Sequence, residues 1–261
     1  MEVIIVKNKE AAETVTAKII EAQLLKKKNS LLGLATGRTM ENVYKRLIEL
    51  HKNNNLDFSS ASSVNLDEYV GLSGDHHQSY RYYMNDKLFN HVNISQENTK
   101  LPNGMASDIP LECKQYEEFI TNQGGIDLQL LGIGTDGHIG FNEPGSSLAS
   151  RTRIKTLTRE TVEQNAPIFG YNNEVPRHAL TMGISTIMDA HKVVLLATGS
   201  SKAQIIADAV EGPITAWVTA SALQMHPSVI VVVDEESAAN LKNYDYYKWA
   251  YDNKPDWQRL Y

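Results

Sequence analysis

Val193-Val194-Leu195-Leu196-Ala197-Thr198-Gly199-Ser200-Ser201-Lys202 is the stretch whose reading decides the fold. Its first five residues are apolar without alternation, the mark of a strand buried on both faces, as in a mostly parallel sheet. A glycine turn follows and leads into a helix predicted over 202–211. Residues 228–233 form a second such strand, with a helix predicted over 235–242. The alternation continues toward the N-terminus. Strands are predicted at 3–6, 31–35, 64–66, 126–131 and 192–197. Helices are predicted at 10–28, 40–51, 80–91 and 111–122, the first with Val15, Ile19, Ala22 and Leu25 on one face. Short apolar strands alternating with amphipathic helices make an α/β fold, a mostly parallel sheet flanked by helices. Residues 1–261 show no repeat or linker, so a single domain is expected.

Composition narrows the class. With 42% hydrophobic and 21% charged residues, the chain matches an ordinary soluble globular protein, long enough for a core without disulfides or structural metal. The longest apolar runs, 193–197 and 229–233, are too short to cross a membrane. Met1-Glu2-Val3-Ile4-Ile5-Val6-Lys7 lacks the basic start and apolar stretch of a signal peptide, so a cytoplasmic protein is expected. The single cysteine, Cys113, excludes an intramolecular disulfide and a cysteine-cluster zinc site, and its helical setting suits an inert core thiol. A net charge of −6 with scattered basic residues argues against nucleic-acid binding, yet a few local cations can still hold a charged metabolite.

Residues 150–173 are rich in Thr, Arg and Asn and show neither a helical nor a strand period. Long irregular segments inside compact domains are usually functional, and 159–173 is read as a lid. Near the C-terminus, Tyr244, Tyr247, Trp249 and Tyr251 suggest helix packing or a subunit contact.

Ligands of open parallel sheets bind beyond the carboxyl ends of the strands, which directs attention to 35–39, 65–70, 132–145 and 198–202. Leu34-Ala35-Thr36-Gly37-Arg38-Thr39 is a strand, a glycine turn and a helix start, where backbone N–H groups and the helix dipole suit a phosphate. The turn before Lys202 repeats that arrangement and adds a cation. The strand at 64–66 runs into an acidic loop, and in Asn65-Leu66-Asp67-Glu68-Tyr69 locally extended backbone points adjacent side chains to opposite sides, so one of the two acids faces any cleft.

Gly132-Ile133-Gly134-Thr135-Asp136-Gly137 matches the dinucleotide pattern G-x-G-x-x-G, but its context fails. Pro144 and further glycines follow where an apolar helix should begin. The same loop carries Asp136, His138 and Glu143. Carboxylates flanking an imidazole fix its tautomer and raise its basicity for acid–base work. A zinc site is not expected, with one histidine here and His76-His77 in a polar loop. No metal or cofactor is expected.

Together, 65–72 and Gly132-Ile133-Gly134-Thr135-Asp136-Gly137-His138-Ile139-Gly140-Phe141-Asn142-Glu143-Pro144 closely resemble the glucosamine-6-phosphate deaminase family. The likeness continues through 146–158 and Ala179-Leu180-Thr181-Met182-Gly183-Ile184 and spans about 3–242. The resemblance implies a modified Rossmann-like fold, no metal or nucleotide, and a homo-oligomer, hexameric in many members. It implies conversion of glucosamine 6-phosphate to fructose 6-phosphate and ammonia. Asp67 would move the C2 proton to C1; His138 would open the sugar ring, oriented by Asp136 and Glu143. Gly37, Thr39 and Lys202 would cradle the phosphate. In allosteric members the stretch matching Ser146, Arg153, Lys155 and Thr156 binds N-acetylglucosamine 6-phosphate between subunits.

The chain departs from the family pattern at Pro167, where members usually carry a phosphate-binding arginine, and at Arg38, where they usually carry a small residue. Arg38 is expected to supply the missing cation. Two rival readings are a 6-phosphogluconolactonase-like hydrolase and a non-catalytic sugar-phosphate sensor. The Phe141-Asn142-Glu143-Pro144 stretch speaks against the first; the second would need a DNA-binding module, and Asp67 and His138 speak for catalysis.

Overall fold

The computed structural model describes residues 1–170, 175–255 and 258. The chain opens with β1 (Glu2–Val6) and α1 (Lys9–Lys26), whose cap Asn8 accepts from the Ala11 N–H at 2.9 Å. β2 (Leu31–Leu34) runs into α2 (Arg38–Asn54), and β3 (Ser62–Asn65) is followed after one residue by β4 (Asp67–Tyr69). Next come α3 (Tyr80–Lys87), β5 (Thr99–Lys100), α4 (Ile109–Asn122) and β6 (Leu128–Leu131). Beyond a glycine-rich loop lie β7 (Arg153–Thr156), α5 (Arg159–Phe169), β8 (His178–Thr181) and α6 (Ile184–Met188). The last described elements are β9 (Val193–Ala197), α7 (Ala203–Glu211), β10 (Val229–Asp234) and α8 (Tyr244–Asp252).

Seven strands form a parallel sheet in the order β1-β10-β9-β6-β2-β3-β5. β9 and β10 sit inside it and every residue of both is buried, as their unbroken apolar runs require. From β2 the chain proceeds outward to β3, whereas from β6 the next strand of this sheet, β9, lies on the other side. The adjacent β2 and β6 therefore bracket the point where strand order reverses, and the loops after them diverge to open a crevice. A second, antiparallel sheet, β4-β8-β7, stands beside this crevice with its own apolar cluster of Tyr69, Phe141, Leu157, Phe169, Val175 and Ala179.

Three sequence expectations are corrected. Most of 150–170 is regular, as β7 and α5; 171–173, the end of the expected lid, lie outside the described residues. The inward stripe of α5 is Thr161, Asn165 and Phe169 at helical spacing, and its first two members are polar because they face the crevice. Hydrophobic periodicity cannot register such a helix. Residues 235–240 form turns instead of the predicted helix. Ser237 there donates from Oγ to Asp234 Oδ1 at 2.6 Å and from its backbone N–H to the same oxygen at 2.9 Å, local bonds that compete with a helical ladder. The acidic stretch after β3 was read as a loop and is the strand β4, paired through Asp67 with Thr181.

Among the C-terminal aromatics, Tyr244, Tyr247 and Tyr251 pack from α8 against the main core, while Trp249 is exposed. Cys113 is buried on α4, and burial pushes its thiol up, as suits an unreactive core residue.

Candidate active site

The loop after β6 is shaped around one imidazole. Gly134 N–H donates to His138 O at 2.9 Å and Gly137 N–H to Gly134 O at 3.1 Å, folding the His138 ring over Gly134. A Cβ at position 134 would lie 2.3–2.6 Å from ring atoms, so glycine alone leaves room. The G-x-G-x-x-G spacing thus places a histidine and leaves no helix start for a pyrophosphate.

Asp136 Oδ1 accepts from the His138 backbone N–H at 3.1 Å and stands 2.7 Å from His138 Nδ1; Glu143 Oε2 is 3.7 Å from the same nitrogen. Short as the Asp136 contact is, its alignment is not that of a hydrogen bond. His138 Nδ1 and Glu143 Oε2 both lack a hydrogen-bond partner among the described residues. The carboxylates act on the ring through charge. Burial alone would raise Asp136, but the His138 ring and backbone N–H outweigh it and hold its carboxyl below the usual range. Glu143 is buried, and its Oε1 accepts from the Thr158 N–H at 3.3 Å, tying the loop to the start of α5. These three residues offer ligand atoms within 4.8 Å of one another and are the one group among the described residues that could hold a cation. A cation there would occupy the imidazole and remove it from proton transfer.

Asp67 approaches from the other sheet. Strand alternation turns it into the crevice and turns Glu68 away, as extended geometry requires. Glu68 instead accepts from the backbone N–H groups of Tyr69 at 2.9 Å, Tyr80 at 3.0 Å and Arg81 at 2.9 Å, closing the start of α3. Both acids are buried, at 7% and 3% exposure, where surface acids would be solvated. Burial first, then the neighbouring Glu68 charge, pushes the Asp67 carboxyl up to about 8. Burial raises Glu68 as well, against the pull of its three N–H donors.

The crevice encloses about 230 Å³ and is lined by Asp67, His138, Thr36, Thr39, Tyr80, Thr161, Asn165 and Lys202, among others. α2 follows the cap residue Gly37, whose φ of +111° favours glycine, and no side chain caps its first turn. Met40 N–H donates to Gly37 O at 2.9 Å, and the amides of Arg38 and Thr39, with no side-chain acceptor among the described residues, suit an anion. Lys202 donates from Nζ to Ile133 O at 2.7 Å; burial lowers its ammonium, with Asp136 opposing. The second glycine turn differs. Gly199 N–H already donates to Asp234 at 3.0 and 3.1 Å and Ser200 N–H to Glu236 at 3.2 Å, so its contribution to the crevice is the Lys202 side chain.

Gly37 and Arg38 are exposed and line an adjoining cavity of about 360 Å³, which shares Tyr80 and Asn165 with the crevice. Pro167 is exposed in the last turn of α5. Of the expected regulatory residues, Arg153 donates from Nη1 to Asn142 Oδ1 at 2.9 Å, and burial lowers its guanidinium. Ser146 is buried with no partner for Oγ among the described residues; Lys155 is half-buried and Thr156 exposed on β7. The sequence reading missed Tyr80, Thr161 and Asn165 as lining residues. The i, i+4 spacing of Thr161, Asn165 and Phe169 was the available signal for the α5 pair.

The sequence profile of the family described as glucosamine-6-phosphate isomerases/6-phosphogluconolactonase matches residues 7–234. The glucosamine-6-phosphate deaminase of Arthrobacter sp. (strain FB24) is 52% identical over 260 residues, covering 100% of both chains. That of Clostridium perfringens (strain 13 / Type A) is 48% identical over 242 residues, covering 93% of this chain and 100% of the relative. A solved monomeric glucosamine-6-phosphate deaminase superposes with a TM-score of 0.90 at 44% identity, covering 92% of this chain and 100% of that one. The 6-phosphogluconolactonase of Trypanosoma brucei shares the fold, with a TM-score of 0.71 at 19% identity over 92% of this chain and 98% of its own.

Proposed function

The chain belongs to the glucosamine-6-phosphate isomerase/6-phosphogluconolactonase family, and we propose that it converts glucosamine 6-phosphate and water to fructose 6-phosphate and ammonia. The observation that carries this reading is a buried carboxylate and a carboxylate-flanked imidazole facing one crevice from two different sheets' ends. His138 moves the proton that opens the pyranose to the aldehyde, held by the charges of Asp136 and Glu143. Asp67 takes the proton from C2 and returns it to C1, while a proton of the substrate ammonium passes to O1, leaving an iminium at C2. Water adds there, and the carbinolamine collapses with loss of ammonia. No electrons leave the substrate, so the reaction is an isomerisation followed by hydrolysis. Thr39, the start of α2 after Gly37 and Lys202 hold the phosphate, with Arg38 adding charge from the rim. α5 acts as the lid, since Thr161 and Asn165 face the crevice.

The lactonase alternative is not favoured: lactone hydrolysis needs no base for a C–H proton, and the lactonase likeness is one of fold. No helix among the described residues is long and apolar enough to cross a membrane, and a cytoplasmic place in amino-sugar breakdown fits this substrate. Coupled detection of ammonia and fructose 6-phosphate from glucosamine 6-phosphate tests the reading; a purified, folded chain that releases neither refutes it.

A second reading concerns regulation and is favoured by the Arg153–Asn142 bond, which joins the expected effector stretch to the residue beside Glu143. N-acetylglucosamine 6-phosphate on Ser146, Arg153, Lys155 and Thr156 would compete for that guanidinium and shift the catalytic loop, in a homo-oligomer that is hexameric by resemblance. Substrate saturation curves that superimpose with and without this compound, on the protein in its own assembly state, refute it.

A further inference from the structure

At the opposite end of the parallel sheet from the crevice lies a further concavity of about 400 Å³, beside the residue that starts β9. One five-residue strand separates it from the Thr198–Lys202 side of the crevice, roughly 17 Å at strand rise. Its walls carry Lys26, Lys27, His191 and Lys192, together with Asp127 and Ser228. Asp127 is committed: both of its oxygens accept from Lys27 Nζ at 2.8 Å, and Oδ2 also accepts from the Leu31 N–H at 2.9 Å. Lys192 is half-buried and Lys26 exposed, and neither forms an ion pair among the described residues. The nearby carboxylate of Glu2 is taken by Lys254. In a chain of net charge −6, two uncompensated ammonium groups thus converge on one hollow.

We propose that this hollow binds a small dianion, inorganic phosphate or a phosphate monoester, between Lys26 and Lys192. A half-buried cation without a partner loses hydration and gains nothing in return. Burial and the Lys26 charge accordingly hold the Lys192 ammonium below its usual value, with Glu2 opposing, and the charge of a bound anion would counter both. Lysine binds phosphate as a point charge, so two ammonium groups without fork geometry suffice. The concave shape suits a compact ligand better than the flat acidic face of a protein.

Calorimetric titration of inorganic phosphate into the full chain, at constant ionic strength, tests this. Wild-type protein should take one phosphate here in addition to that in the crevice and any on the effector stretch. Lys26→Gln/Lys192→Gln should keep the crevice phosphate, and its turnover in phosphate-free buffer, while binding the one here at least tenfold more weakly. Phosphate binding unchanged in that variant overturns the proposal. A readout independent of the variant's folding is the backbone amide spectrum of the wild type. Phosphate should shift the Lys192 and Ser228 signals, and do so equally in Lys202→Gln; silence of both signals overturns the proposal. Glycerol 3-phosphate in the same spectra separates the sources, since tighter binding than phosphate assigns the hollow to a monoester and weaker binding to the free ion.

Discussion

Replacing Asp67 by Asn should raise stability and sharply lower turnover, and the gain in stability should depend on pH. A carboxyl near 8 in the folded chain has an ordinary value when unfolded. Between those values the folded state holds a proton that the unfolded state has released. Wild-type stability must therefore fall as pH rises from about 4 to about 8 and be flat outside that window. Linkage gives a penalty of about 1.5 kcal/mol at pH 5 and about 5 kcal/mol at pH 8.5. Asparagine does not titrate, and its fixed differences in packing cancel when one variant is compared at two pH values. The stability gap, Asp67→Asn minus wild type, should thus widen by about 4 kcal/mol between pH 5 and 8.5, part of it through relief of Glu68. Urea denaturation of both proteins at the two pH values measures it directly. Catalysis follows the same proton: wild-type kcat/KM should climb tenfold per pH unit up to about 8, then level. The variant should lose about a hundred- to ten-thousand-fold in turnover together with C2 hydrogen exchange into solvent. A stability gap independent of pH would refute the buried-base argument, and C2 exchange at the wild-type rate would move the role away from Asp67.

His138→Gln should lower turnover most with ring-closed substrate and least with substrate trapped in the open form, as read by pre-steady-state kinetics. Gly134→Ala should displace the imidazole, because its Cβ would meet the ring at 2.3 Å, and cost roughly a hundredfold in kcat while the unfolding midpoint moves little. If Arg38 supplies the charge that Pro167 does not, Arg38→Gly should raise KM by on the order of tenfold or more and Pro167→Arg should restore part of it. An unchanged KM in Arg38→Gly would show that α2 and Lys202 hold the phosphate without it.

What the sequence by itself determined was whatever a local period or a local prohibition can encode. The unbroken apolar runs of β9 and β10 required burial on both faces and hence a parallel sheet. Pro144 forbade the helix that a dinucleotide loop needs. Extended backbone at Asp67 and Glu68 separated their roles before any contact was known. Tertiary structure decided the features whose cause lies far along the chain. α5 escaped notice because the side it turns inward meets a polar crevice, so Thr161 and Asn165 stand where a core helix would carry leucines. The two glycine turns look alike in sequence, yet Asp234 and Glu236 arrive from 35 and 36 residues away to occupy the donors of the second. The larger part of the proton affinity of Asp67 comes from burial in a crevice that β8, Phe141 and Tyr80 close from far along the chain, and the adjacent Glu68 only adds to it. Periodicity reports which face of an element is dry. It does not report which group from another element fills the space in front of that face, and at a site that group sets the chemistry.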